Sequence, residues 1–249
     1  MPHAVSRLRA ERLARSAKPF LARGGSTRER CERCRLPLTH CACALRPAAA
    51  AARAGMCLLM ADIEPLKPTN TGWLVADVVP DTFAFGWTRT EVDPALLGLL
   101  ADPGWQPLVV FPDEYAPASR VIHDVPHDAA PGASRRPLFV LLDGTWSEAR
   151  KMFRKSPYLD RFPVLSLRPE QVSGYALRRS RREDHFCTSE VASLCLELAG
   201  DARASRALQA WLDVFTHHYV QARHQLPAAG DGEAHARLRA LAVTSPSSA

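Results

Sequence analysis

The chain has 249 residues, enough for one sizeable domain with small appendages. Apolar residues make up 47% and charged residues 23%, as in ordinary globular proteins, and no apolar run approaches the roughly 20 residues of a membrane helix. We therefore expect a chain that does not span a bilayer. The net charge of +6 is modest, and the abundance of Arg and Ala among its residues is also what a GC-rich genome produces.

Composition divides the chain into four segments. Residues 1–24 are rich in Arg and Ala and predict a flexible basic arm. Residues 25–46 contain a group of cysteines, and residues 55–226 carry the regular patterns of a main domain. Residues 227–249 are rich in Ala, Gly and Ser and predict a flexible tail.

Four of the seven cysteines form two close pairs in the second segment. Cys31 and Cys34 are separated by two residues, and Cys41 and Cys43 by one. Four thiolates complete the tetrahedral coordination of zinc, and a closed site of this kind leaves no position for water. We therefore predict a small N-terminal segment that binds a structural zinc ion. Two alternatives stay open: His40 replaces one sulfur, or the cysteines carry no metal.

The amino terminus and the cysteine count bear on the compartment. Residues 1–9 contain no apolar leader segment, and seven is an odd number of cysteines. We expect a reducing, cytoplasmic location without a disulfide framework, with an Arg-rich organelle presequence as the alternative. The oligomeric state is not indicated by any pattern in the chain.

Residues 55–226 alternate between strand and helix patterns. Apolar runs predict strands over Met56–Met60, Thr82–Phe85, Pro107–Phe111, Leu138–Leu142 and Pro163–Leu167. Helical patterns begin near Thr71, Asp93, Thr145, Thr188 and Leu208. This alternation predicts an α/β fold with a mainly parallel sheet and helices on both faces.

The exit of the Leu138–Leu142 strand is the most informative part of the sequence. Asp143-Gly144 ends the strand, and Thr145 with Glu148 forms the pattern of a helix capping box. Asp143 and Trp146 therefore stand at the carboxyl end of a strand, where open α/β sheets bind ligands. We expect both at the floor of one cleft as catalytic candidates. The alternatives are an Asp143 that only orients other groups and a Trp146 that is a core indole.

A polar loop follows the first strand of the main domain. In Glu64-Pro65-Leu66-Lys67-Pro68-Thr69-Asn70-Thr71-Gly72, two prolines stiffen the chain, and Asn70 or Thr71 can cap the next helix. A rigid turn with a helix cap is the simpler interpretation. It does not explain why Glu64 and Lys67 stand together just past a buried strand, so we predict ligand contacts here.

A third polar group opens a later helix. Thr188 is the predicted N-cap, and Glu190 places negative charge in the first turn, which favours the helix. Ser189 lies between them. Helix capping explains the pattern, but a helix start also binds anions, so a substrate carboxylate is a second possibility.

Basic residues cluster at two places and predict contacts with nucleic-acid phosphates. The first cluster recurs at i, i+4 spacing on the helix after Asp143 and contains Arg150, Lys151, Arg154 and Lys155. The second contains Arg178, Arg179, Arg181 and Arg182. A solvated surface without a partner is the alternative interpretation.

Taken together and in order, the motifs resemble the DTW-domain family. The likeness rests on the two cysteine pairs, the Glu64–Gly72 loop, Phe111-Pro112, Asp143-Gly144-Thr145-Trp146, Ser156-Pro157-Tyr158-Leu159 and Cys187-Thr188-Ser189-Glu190-Val191-Ala192. It extends from about Arg23 to about Tyr219, so residues 55–226 become the expected DTW catalytic domain. Within the family, the motifs are most similar to those of the bacterial members, the tRNA-uridine aminocarboxypropyltransferases.

The resemblance implies a reaction. S-adenosylmethionine donates its 3-amino-3-carboxypropyl group to ring nitrogen 3 of a tRNA uridine, and methylthioadenosine leaves. It also implies a relation to SPOUT-like enzymes with a knotted α/β fold, although nothing in the sequence shows a knot.

Under this resemblance the residues take the following roles. Asp143 assists removal of the uridine proton or fixes the base edge, and Trp146 packs on a base or over the cationic sulfur. The expected donor contacts are Glu64, Thr69, Asn70, Thr145, Thr188, Ser189 and Glu190. The expected RNA contacts are Lys67, Arg150, Lys151, Arg154, Lys155, Arg178 and Arg179. The rivals are an S-adenosylmethionine-dependent RNA methyltransferase and a non-catalytic, zinc-containing RNA-binding module; the acceptor position is not determined.

Overall fold

A parallel sheet forms the centre of the fold. The computed structural model describes residues 2–17, 29–126, 135–167 and 186–243, and within these ranges six strands pair side by side, all parallel. The strands are β1 (Gly55–Met60), β2 (Thr82–Gly86), β3 (Trp105–Val110), β4 (Val121–Ile122), β5 (Arg136–Asp143) and β6 (Val164–Leu165). Their order across the sheet is β2-β1-β5-β3-β6-β4. The long strand β5 therefore lies inside the sheet, between β1 and β3.

Helices cover both faces of this sheet. They are α1 (Ala4–Ala14), α2 (Gly72–Val78), α3 (Pro94–Ala101), α4 (Trp146–Arg154), α5 (Thr188–Leu198), α6 (Ala202–Arg223) and α7 (Glu233–Val243). Phe139 and Leu141 of β5 join a core cluster with α1, α2, α5, α6 and α7, whereas Val140 joins a second cluster with α3 and α4. Alternate residues of a strand point to opposite faces, so this division confirms the predicted α/β class. Among the described residues, no helix has both the length and the apolar content needed to cross a membrane.

The predicted strands and helices of the main domain are present, but the amino terminus differs from the prediction. Residues 1–24 were expected to form a flexible arm, yet α1 packs against α2 and β2. Val5 and Leu8 are both buried in the core. These two apolar residues lie three positions apart on one helix face, and the many arginines around them obscured this signal.

The carboxyl terminus differs in the same way. Residues 227–249 were expected to form a flexible tail, but α7 packs against α6 and buries Leu238 and His235. His235 Nε2 lies 2.9 Å from His218 Nε2 of α6. The short Ala-rich pattern contains no clear helical stripe, so only this tertiary contact identifies the helix. Residues 244–249 lie outside the described part of the chain.

The segment that connects β6 with α5 bears on the expected knot. Residues 168–185 of this connection lie outside the described ranges. The knotted, SPOUT-like topology therefore stays a prediction.

Candidate active site and metal centre

Asp143 lies at the centre of a buried polar cluster. It is the last residue of β5, and only 5% of its surface is exposed. Asn70 Nδ2 donates to its Oδ2 at 2.8 Å, and Thr188 Oγ1 donates to its Oδ1 at 2.7 Å. Three residues that the sequence predicted from separate loops therefore meet at the carboxyl end of one strand.

Glu64 adds a second carboxylate to this cluster. It is buried at the start of a short 3-10 helix (Glu64–Leu66), and Lys67 Nζ forms an ion pair with its Oε1. Asn70 Nδ2 also lies 3.4 Å from Glu64 Oε2, so one amide group faces both carboxylates. Asn70 Oδ1 accepts a hydrogen bond from Trp73 N at 3.1 Å, which fixes the amide orientation and caps α2.

The close approach of α2 to Asp143 depends on Gly72. A β-carbon added at this position would lie 2.6 Å from Asp143 Oδ2 and 3.2 Å from Leu58 Cδ1. Real β-carbons essentially never approach another atom so closely, so a larger residue would push α2 away from β5. The glycine that ends the polar loop is therefore part of the site.

Burial makes Asp143 an unusual carboxyl group. The loss of hydration raises its pKa to about 6, and the negative charge of Glu64 acts in the same direction. The hydrogen bonds from Asn70 and Thr188 partly offset this increase. A carboxyl group that titrates near neutral pH is suited to accepting a proton during a reaction.

The raised pKa predicts how stability depends on pH. Because the pKa of Asp143 is about 6 in the folded protein and 3.8 ordinarily, the folded state binds more protons than the unfolded chain between about pH 4 and pH 6. The free energy of unfolding should therefore fall as pH rises through this window. Relative to Asp143→Asn, we expect the wild-type protein to lose about 2 kcal/mol between pH 4 and pH 7. Urea denaturation of both proteins at each pH tests this, and parallel profiles would contradict it.

Arg35 braces the polar loop, and sequence reasoning missed it. Its Nη1 donates to the carbonyl oxygens of Lys67 and Asn70 at 3.1 and 3.0 Å, and its guanidinium lies 4.3 Å from the centre of the Trp73 ring. Burial lowers its pKa to about 9. Arg35 follows Cys34 directly and has a left-handed φ of 64°. The cysteine segment therefore supports the loop that carries Asn70, a contact over more than 30 positions that no local pattern signals.

Trp146 lies in an aromatic surface cluster. Its ring is stacked on Phe111 at 5.4 Å and meets the Tyr115 ring edge-on at 5.6 Å, and Arg150 lies 5.9 Å from its centre. The side chain is 39% exposed, which argues against the alternative of a core indole. The aromatic partners Phe111 and Tyr115 follow the neighbouring strand β3.

Asp143 and Trp146 do not share the contacts expected of one cleft floor. Asp143 contacts the α2 and α5 side of the sheet, whereas α4 packs on the opposite side through residues such as Met152. Two cavities among the described residues, of about 720 and 440 Å³, are lined by other residues. The reason is the turn at Gly144, which takes the chain from one face of β5 to the other within three residues.

The first turns of α4 and α5 use their polar residues as caps. Thr145 Oγ1 and N both donate to Glu148 Oε2, at 2.6 and 2.8 Å, which confirms the predicted capping box. In α5 the N-cap is Cys187 rather than Thr188, and Glu190 Oε2 accepts from Cys187 N at 2.8 Å. This shift by one residue leaves the Thr188 hydroxyl free to bind Asp143.

The remaining predicted donor contacts differ in accessibility. Thr69 is exposed in the loop before α2. Ser189 is fully buried, and its backbone N donates to Thr71 Oγ1 at 3.3 Å. Burial raises the pKa of the Cys187 thiol to about 11, which favours the protonated thiol near neutral pH and disfavours a thiolate nucleophile. Donor contacts of Glu64, Thr69, Asn70, Thr145, Thr188, Ser189 and Glu190 stay predictions.

The four clustered cysteines form a group that could hold a metal ion. The sulfur atoms of Cys31, Cys34, Cys41 and Cys43 all lie within 4.8 Å of one another. Two of the separations are 3.5 and 3.7 Å, close to the roughly 3.8 Å expected for sulfurs around a tetrahedral ion with Zn–S bonds of about 2.3 Å. His40 is not part of the group, because its ring nitrogens contact Thr39 Oγ1 and the carbonyl oxygen of Leu226, each at 2.9 Å.

The predicted RNA-binding residues lie in three different settings. Arg150, Lys151, Arg154 and Lys155 are exposed on α4. Lys67 is partly buried, and its charge is paired with Glu64. Arg178, Arg179, Arg181 and Arg182 lie outside the described residues. Of the two predicted clusters, only the one on α4, next to Trp146, lies among the described residues, and RNA binding there stays a prediction.

Together these features define an α/β protein with a buried polar cluster at the carboxyl edge of a parallel sheet and an attached four-cysteine segment. The chain belongs to the DTW domain family, whose family model matches residues 28–220, from the cysteine segment through α6. This match confirms the family resemblance found in the sequence.

One relative carries a functional name. A Drosophila melanogaster protein named tRNA-uridine aminocarboxypropyltransferase 2 is 28% identical over 177 residues, which cover 68% of this chain and 66% of that protein. The chain thus spans just under two thirds of the length of this relative. No solved structure matches the chain. A particular likeness to bacterial members stays a prediction.

Proposed function

We propose that this protein transfers the 3-amino-3-carboxypropyl group of S-adenosylmethionine to ring nitrogen 3 of a tRNA uridine. Membership of the DTW domain family and a relative named for aminocarboxypropyl transfer support this class of reaction. The observation that carries the proposal is the buried Asp143 carboxylate at the end of β5, held by Asn70 and Thr188 and with a pKa of about 6.

The reaction requires a base to accept a proton, and it does not require a covalent enzyme intermediate. In the transfer, the uridine nitrogen forms a bond to the γ-carbon of the donor, and the electron pair of the broken C–S bond leaves with sulfur as methylthioadenosine. The sulfonium charge already activates this carbon, so positioning of the two substrates supplies much of the acceleration. The remaining task is to accept the proton of the uridine nitrogen, and Asp143 is our candidate for it.

The contacts of Asp143 leave two roles for it. Each oxygen of its carboxylate already accepts one hydrogen bond, and each retains a second lone pair for the uridine N–H. In the first role the carboxylate accepts the proton. In the second it only orders Asn70 and Thr188, which then contact the substrates. A pKa close to neutral favours the first role, because a base is most effective when its pKa is near the working pH.

The donor contacts are assigned by accessibility and by free bonding capacity. Thr188 opens α5 beside Asp143, and we propose that this helix start receives the carboxylate of the amino-acid group. Thr69 and Thr145 are exposed at the ends of the two adjoining loops and remain candidates for further contacts. Glu190 caps α5 by accepting from Cys187 N, and Ser189 is fully buried with an Oγ that has no hydrogen-bond partner among the described residues.

The tRNA would lie across α4 and the aromatic surface cluster. Arg150, Arg154 and Lys155 present an exposed basic face, and Trp146 offers an exposed indole at its amino-terminal end. Arginine and lysine position nucleic acids through phosphate contacts, and an exposed aromatic ring can stack on an unpaired base. A tRNA substrate and S-adenosylmethionine are thus the proposed partners, in a cytoplasmic setting.

The basic face of α4 gives a prediction about salt dependence. Arg150→Gln combined with Arg154→Gln removes two exposed charges that lie one turn apart. We expect weaker tRNA binding, and a slope of log K against log salt that is smaller by roughly 1.5. The reason is that a complex with fewer phosphate contacts releases fewer counterions when it forms. Fluorescence titrations at several salt concentrations measure the slope, and an unchanged slope would place the tRNA elsewhere.

The four cysteines are proposed to bind zinc in a structural role. Four thiolates at these separations fit a closed tetrahedral site, which has no open position for a substrate. When bound, the ion would tie the ends of a short segment together. Cys34 and the adjoining Leu36 are buried in the same core cluster as α1 and α2, so the tied segment would support the main domain.

A direct assay tests the proposed function. Purified protein is incubated with unmodified tRNA and S-adenosylmethionine. The tRNA is then digested to nucleosides, and their masses are determined by mass spectrometry. A uridine carrying the aminocarboxypropyl group, together with released methylthioadenosine, supports the proposal. A methylated base identifies the methyltransferase rival, because the two groups differ greatly in mass. Binding of tRNA without consumption of the donor identifies the non-catalytic zinc-containing module.

A further inference from the structure

A large cavity lies apart from the Asp143 cluster. It measures about 720 Å³ and opens between α1, the cysteine segment and the loop that follows β1. Leu66, Pro68 and Trp73 form its wall on the side of that loop, and His3 lines it from the start of α1. A volume of this size is within the usual range of small-molecule and nucleotide sites. No role in the proposed transfer accounts for it.

Arginine dominates the polar lining of this cavity. Five arginines line it: Arg9, Arg30, Arg33, Arg35 and Arg46. Glu32 is the one acidic residue among the described residues of the lining. Arg46 is neutralised by Asp77 at 3.0 Å, and the other four form no ion pair with a described carboxylate. Positive charge therefore exceeds the negative charge available to compensate it.

The inner wall contains a guanidinium group with unused donors. Arg35 is only 3% exposed, and its Nη1 is bound to the loop carbonyls, but its Nε and Nη2 have no hydrogen-bond partner among the described residues. A buried charged group that lacks partners is costly, and a bound anion would offset this cost. Arg9 and Arg33 lie at more accessible positions of the same cavity.

We propose that this cavity binds a phosphate group of the tRNA backbone. The inference rests on the proposed function, which supplies RNA as the partner. Arginine is the residue best suited to phosphate because its planar donors can bind two oxygens at once. Arg35 lines the cavity and also holds the carbonyl oxygens of Lys67 and Asn70, so a phosphate bound by Arg9 and Arg33 would lie beside the residue that braces the Asp143 loop. The tRNA would then be held at α4 and at this second point.

Paired charge-removing variants test the assignment. Arg9→Gln with Arg33→Gln removes two cavity arginines, and Arg89→Gln with Arg206→Gln removes two exposed arginines outside it. For the first pair we expect the Kd for tRNA to rise about tenfold and the salt slope to fall by roughly 1.5 relative to the second pair. The KM for S-adenosylmethionine should stay unchanged. Arg33→Gln alone alters an exposed side chain with no described hydrogen bond, and it keeps the test valid if the double variant does not fold.

Three results would overturn the proposal. The first is equal tRNA affinity and equal salt slope in the two pairs. The second is loss of zinc from the Arg9 and Arg33 variant without a change in tRNA affinity, which would assign these arginines to the thiolate cluster. The third is thermal stabilisation by pyrophosphate that requires Arg9 and Arg33, again without a change in tRNA affinity, which would identify a site for free anions. A wild-type protein that modifies no uridine would instead refute the proposed function.

Discussion

Asp143→Asn is expected to lower the turnover of aminocarboxypropyl transfer by a factor of about 10² to 10⁴, the usual contribution of a positioned general base. The substitution preserves the shape of the side chain. The amide oxygen that it introduces can accept from Asn70 Nδ2, and the Thr188 hydroxyl can rotate to accept from the new amide nitrogen. The variant therefore removes the proton acceptor while the surrounding contacts are retained. Single-turnover rates with saturating tRNA and donor measure the effect.

Comparison with Asp143→Ala separates the two roles of this residue. If Asp143 accepts the proton, both variants lose activity to a similar extent. If it only orders Asn70 and Thr188, the asparagine variant retains most of the wild-type rate and the alanine variant does not. Far-ultraviolet circular dichroism and zinc content serve as controls for folding. Wild-type turnover in both variants would remove Asp143 from the mechanism.

The same group should control how activity depends on pH. A base with a pKa of about 6 is protonated and inactive below that value, so the rate should rise with pH and level off above it. The alanine variant should lose this rise. A wild-type profile that is flat between about pH 5 and pH 8 would assign proton removal to solvent or to another residue.

Loss of the metal centre is the second change with a large expected effect. We expect Cys34→Ala to abolish stoichiometric zinc binding, because three thiolates cannot complete the closed site. We also expect the free energy of unfolding to fall by about 3 kcal/mol or more, which in a chain of this size corresponds to a Tm lower by about 6–12 °C. Inductively coupled plasma mass spectrometry and thermal unfolding measure the two quantities.

A buried cysteine outside the cluster provides the matched control. Cys57 is fully buried in β1, so Cys57→Ala removes a comparable thiol without touching a proposed ligand. This variant should retain zinc. Activity should fall further in Cys34→Ala than stability alone explains, because Arg35 follows Cys34 and holds the loop that carries Asn70. Full zinc content in Cys34→Ala would show that the cluster is not a four-thiolate site.

Local features of the fold were predictable because they arise within a few residues. Apolar runs bounded by turn residues identified five of the six described strands, and the Thr145–Glu148 pattern identified the start of α4. The missed strand β4 has only two residues, and α1 and α7 lack a long apolar stripe. Cysteine spacing indicated the metal-binding group because four ligands lie close together in the chain.

The candidate site was predictable only in part. Its members were found because polar residues that follow parallel strands meet at one edge of the sheet. Their partners were not found. The bond from Thr188 to Asp143 joins residues 45 positions apart, and it depends on a one-residue shift of the α5 cap to Cys187. From local pattern alone, Thr188 was the better candidate for that cap, since threonine is a preferred N-cap residue.

What the sequence determined by itself was therefore the alternation of strands and helices, the caps, the cysteine group and the family. Only the tertiary structure decided that Asp143 is buried and that Arg35 joins the cysteine segment to the polar loop. It also placed Trp146 in a separate aromatic cluster instead of in the polar cluster of Asp143. The physical reason is the distance along the chain over which each interaction acts. Backbone periodicity and capping act between near neighbours, whereas burial and side-chain pairing depend on which strands become adjacent, and that order is set by packing of the whole chain.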